Sequence, residues 1–116
     1  METILERNLI KEQLDTALST CRKNGLASNE AEVQYRIKKS QEILRLKSEG
    51  YPATLIPDIV KGLPEVAILY QDKLDKEVIY KANVEAIQVK KLELRIIEAD
   101  VEREYNNVWI ICNTIN

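Results

Sequence analysis

Between Pro64 and Tyr105 the chain runs for roughly forty residues without an internal Gly or Pro. Nothing in that stretch interrupts a helix, and Pro64 suits the first helical position, where a missing N–H costs nothing. Glu65 follows in the first turn, where a carboxylate complements the helix dipole. At 1.5 Å per residue the stretch extends about 60 Å, longer than a compact domain of 116 residues is wide. Stepping about 100° per residue separates two apolar seams. One holds Tyr70, Leu74, Val78, Val89, Leu92, Ile96 and Ala99. The other, nearly opposite, holds Tyr80, Val84, Ile87, Leu94, Ile97, Val101 and Tyr105. A helix that must be covered on two sides sits between partners.

The preceding sequence predicts two shorter helices and a plug. The first spans 3–24: Thr3 and Glu6 have capping-box spacing, and Ile10, Leu14, Ala17, Leu18 and Cys21 form one apolar stripe that stops at Asn24-Gly25. The second spans 28–49, with Val33, Ile37 and Leu44 on one side and Ala31, Tyr35 and Leu46 on another, beside Ile43. Gly50-Tyr51-Pro52 ends it, because Pro cannot continue a helix. Residues 55–61 read as a short helical plug capped by Thr54, with a strand over 53–56 as the alternative. After Tyr105, Asn106-Asn107 reads as a break. The tail 106–116 is then either a final helical turn folded back or an edge strand, with Trp109 as a packing anchor.

The fold class is therefore all-α: an antiparallel helical hairpin with a long C-terminal helix, an N-terminal helix and a short plug, in one domain over 1–116. Two helices of about twenty residues cannot cover both sides of the long one, so a coiled-coil-like homo-oligomer is expected. The long helix is one-sided from Tyr70 and two-sided from Tyr80 onward. The oligomer or partner interface is accordingly expected on Tyr80, Val84, Ile87, Leu94, Ile97, Val101, Tyr105 and Trp109.

Composition narrows the chemistry. Five Tyr, one Trp and no Phe leave burial to aliphatic side chains, and the net charge of −2 supplies no general attraction to nucleic acid or anionic membrane. With no His there is no common general base and no His metal ligand. Cys21 and Cys112 stand alone, and Gly25, Gly50 and Gly62 form no phosphate loop. No enzymatic activity, metal or cofactor is expected. Arg36, Lys38, Lys39, Lys90, Lys91 and Arg95 are the candidate anion or nucleic-acid contacts. They form no single stripe, and Glu42, Glu49, Glu93 and Glu98 between them point to ion pairing. No apolar run approaches the ~18 residues of a membrane span, and no signal segment opens the chain. A cytoplasmic protein with reduced thiols, not bound to membrane, is expected.

Five segments carry a resemblance. They are Glu30-Ala31-Glu32-Val33-Gln34-Tyr35-Arg36; Gly50-Tyr51-Pro52-Ala53-Thr54-Leu55-Ile56; Val60-Lys61-Gly62; Tyr80-Lys81-Ala82-Asn83-Val84-Glu85-Ala86-Ile87; and Glu102-Arg103-Glu104-Tyr105. In this order, over about residues 28–105, the chain resembles a family of small helical proteins of phages and prophages of Gram-positive bacteria. The family is functionally uncharacterised and carries no catalytic motif to transfer. The resemblance implies a phage protein acting in the bacterial host cytoplasm. Three functions fit that setting. The first is an interaction protein that binds a host or phage protein, as in host takeover or counter-defence. The others are an accessory of DNA replication or recombination that contacts nucleic acid, and an oligomeric sponge for a nucleotide signal. Chains of this kind tend to stop near Tyr105, so the tail departs from the pattern.

Overall fold

The computed structural model describes residues 2–115; Met1 and Asn116, the ends of the expected domain, lie outside them. The described chain is all-α, in the order α1 (Glu2–Ser48), α2 (Ile56–Gly62) and α3 (Pro64–Ile115). The plug and the start of the long helix fall where the sequence places them. Two expected breaks do not form. The first and second helices are one continuous α1, and the segment after Asn106 is the last part of α3, neither strand nor folded-back turn.

Neither break is forced by the residues at it. A mid-helix Gly costs about 1 kcal/mol against Ala, but Gly25 is where the Tyr80 ring lies against the α1 backbone. A Cβ placed there would stand 3.0 Å from Tyr80 Cε2. Asn106 and Asn107 cost only a fraction of a kcal/mol each. In the turns after them Asn113 Nδ2 and the Thr114 hydroxyl donate to the Trp109 and Ile110 carbonyls of the same helix.

The chain divides into two compact units, Arg22–Ala82 and Met1–Cys21 with Asn83–Asn116. In Arg22–Ala82, α1 lies antiparallel to α3. Gly25 meets Tyr80, Tyr35 packs on Tyr70 with ring centroids 5.3 Å apart, and Lys38 reaches Glu65 at 2.7 Å. α1 ends in a Schellman turn. Gly50 takes φ 86, its N–H donates to the Lys47 carbonyl, and the Tyr51 N–H donates to the Leu46 carbonyl. α2 begins after Leu55, which makes no side-chain cap bond, so Thr54 is not the cap. Leu63 is extended, as a residue before proline must be, and its N–H closes α2 on the Val60 carbonyl. Leu46, Ile56, Val60 and Val66 form the core of this unit, with Tyr35, Ile43, Ile59 and Leu63 packed around them.

In the other unit the N-terminal part of α1 lies antiparallel to the C-terminal part of α3. The Thr3 hydroxyl donates to Glu104 rather than closing a capping box with Glu6, and Lys90 Nζ donates to Gln13 at 2.8 Å. Its interior is thin. Ile87 and Ile97 are its only buried hydrophobic side chains among the described residues. The Arg7 Nε and the Asn83 Nδ2 atoms are also enclosed, with no partner among those residues.

Candidate interaction surfaces

In Arg22–Ala82 the first seam faces α1 as expected, through Tyr70. In the unit of 1–21 with 83–116, α3 turns the second seam toward α1 and leaves the first open, the reverse of the expected arrangement. Ile87 and Ile97 are 6% and 7% exposed, and Leu94 and Val101 are half-buried. These four residues of the expected partner-facing set line the hairpin interior, so they are not a surface. Tyr80 and Val84 lie at its edge, while Tyr105 and Trp109 are well exposed. The cause lies in the register: the polar groups of Asn83, Lys90 and Glu104 sit on the same inward side, beside Gln13 and Thr3 of α1.

The open seam in this unit is Val89, Leu92, Ile96 and Ala99. The first three are 54%, 55% and 65% exposed, and Ala99 is exposed. In Arg22–Ala82, α1 carries an open stripe of its own: Leu26, Val33, Ile37 and Leu44 are all exposed. At 100° per residue these four lie within about 40° of one another and about 165° from the face of Ala31, Tyr35 and Leu46. The sequence marks Val33, Ile37 and Leu44 as one side; Leu26 extends that side by one heptad step across the break that does not form.

The candidate anion contacts are dispersed and mostly engaged. Arg36 bonds Glu32 at 2.8 Å, and Lys90 bonds Glu93 at 3.1 Å as well as Gln13. Lys38 bridges Glu65 and Glu42, and hydrogen bonds first to Glu65 and then to Glu42 hold its ammonium above the usual lysine value. Arg45, bonded to Glu42 and Glu49, keeps the Glu42 carboxyl below its ordinary value, and Lys38 adds to the shift. The Glu42 contribution to stability is therefore present above the ordinary carboxylate range and is lost as pH falls through its lowered value. Lys39 lies over the Tyr35 ring at 5.7 Å, and Lys73 lies over both Tyr35 and Tyr70. This tyrosine pair, which the sequence reading does not single out, walls a groove of about 480 Å³ with Lys61, Val66, Ala67 and Gln71. Lys91 and Arg95 are exposed and form no ion pair among the described residues.

Among the described residues no cluster of His, Cys, Asp or Glu is placed to hold a metal, and no helix is long and apolar enough to cross a membrane. Comparison with protein-family models, with curated proteins and with solved structures finds no match to this chain.

Proposed function

We propose that this chain is a non-enzymatic interaction protein that works as an assembly, acting in the cytoplasm of a phage's bacterial host. The observation that carries the reading is the bare seam of Val89, Leu92 and Ile96, directly across α3 from the seam that α1 occupies. Leaving such a stripe in water forfeits roughly 25 cal/mol per Å² of apolar surface, and a unit with two buried hydrophobic residues among those described has little stability to spare. The occupant that fits is a second copy. Light scattering at tens of micromolar should return at least twice the 13.4 kDa chain mass. Leu92→Glu with Ile96→Glu should return the single-chain mass with helicity unchanged. A wild-type chain that stays at single-chain mass would sink the proposal.

The α1 stripe in Arg22–Ala82 serves a different occupant. Arg22, Lys23 and Lys47 flank Leu26, Val33, Ile37 and Leu44, against the acid Glu30, while Arg36 beside them is held by Glu32. Like charges would meet if two copies paired here, so the stripe fits an amphipathic helix of a host or phage protein with Asp and Glu beside its apolar face. Capture from host lysate should recover a protein with such a helix, and Val33→Asp with Ile37→Asp should abolish the capture. Recovery that persists with the double variant argues against this surface. Nucleic-acid and nucleotide-signal binding rank below these readings, because Arg36, Lys38 and Lys90 already hold carboxylates.

A further inference from the structure

We infer that two copies join through α3 as a parallel, in-register, two-stranded coiled coil over Val89–Ile110; the inference rests on the self-assembly just proposed. The spacing of the bare seam assigns a heptad. Val89 and Ile96 fall at a, and Leu92 and Ala99 fall at d. β-branched residues at a with Leu at d favour two parallel strands. Arg103 takes the next a position, bonded to Asp100 of its own helix, Asn106 takes the next d, and Ile110 the a after that. Polar groups at single seam positions fix register at some cost in stability.

The flanks choose the orientation. Arg95 precedes Ile96, at g, and Asp100 follows Ala99, at e. In a parallel pair each g residue faces the e residue five positions on in the other strand, which sets Arg95 against the second copy's Asp100 on both sides of the two-fold axis. Arg95 is exposed and has no carboxylate partner among the described residues. Gln88 at g likewise meets Glu93 at e. In an antiparallel pair the e flank faces itself, and Glu93 and Asp100 would meet like charges. Opposite charge on the flanks of one orientation and repulsion on the flanks of the other favour the parallel dimer. In it the Asp100 carboxylate beside each Arg103 offsets the approach of the two guanidiniums across the seam. Its isologous contact closes without leaving a free seam.

The test places Asn106→Cys in a Cys21→Ser, Cys112→Ser background and oxidises the protein mildly. The expected product is a reducible two-chain species, because parallel in-register strands bring position 106 of each copy together. Arg95→Glu should weaken dimerisation about tenfold, and adding Asp100→Arg should restore it to within about threefold. A dimeric mass without the 106–106 disulfide, or without rescue by the charge swap, overturns the parallel arrangement and leaves self-assembly standing. A wild-type chain that remains at single-chain mass overturns both.

Discussion

Leu46→Ala should lower the stability of the folded chain by about 3–4 kcal/mol, seen as a fall in the urea midpoint at unchanged slope. Leu46 is 2% exposed, and it is the residue through which α1 joins Ile56 and Val60 of α2 and Val66 of α3. Truncation removes transfer energy and leaves a void that three elements of different direction cannot all close. Small domains hold only about 5–15 kcal/mol in total, so this one change takes a large share. Leu44→Ala is the control: two residues away and on the exposed stripe, it should cost under about 0.5 kcal/mol. Equal losses at 44 and 46 would show that the core has been misplaced.

Ile97→Ala and Ile96→Ala should separate as sharply, though the residues are adjacent. Ile97 is buried against α1, and its truncation should cost about 2–3 kcal/mol. Ile96 is 65% exposed, so in dilute protein its truncation should change unfolding by less than about 0.5 kcal/mol, while weakening self-association. Urea unfolding at low micromolar concentration reads the first effect, and mass against concentration reads the second. The opposite assignment, a costly Ile96 and a cheap Ile97, would put Ile87, Leu94, Ile97 and Val101 back on the partner-facing side.

The all-α class, the sharp reversal at Gly50-Tyr51-Pro52 and the entry at Pro64 were legible because each depends on neighbours in sequence: a positive φ, a missing N–H, an extended residue before proline. The break expected at Asn24-Gly25 was a misreading. A small residue there has a tertiary cause, the Tyr80 ring, which lies 55 positions along the chain. The signal that corrects it is the inner-face spacing through Ala17, Cys21, Ser28, Ala31 and Tyr35, which keeps three- and four-residue steps or their sum straight across the Gly. The identity of the inward seam was not legible. Two seams of similar apolarity leave the choice to register, and register is fixed by contacts such as Lys90 with Gln13 and Thr3 with Glu104 that no local window contains. The Tyr35–Tyr70 pair was missed for the same reason.

The bond from Thr3 to Glu104 joins residues 101 positions apart. During synthesis, at about 5–20 residues per second, the N-terminal stretch of α1 therefore emerges roughly 5–20 s before the part of α3 it packs against exists. A helical turn forms in under about a microsecond, so the ribosome, not the polypeptide, sets when this unit closes. For those seconds Ile10, Leu14 and Ala17 have no α3 residue to cover them, and a nascent chain halted anywhere before Asn83 leaves them bare.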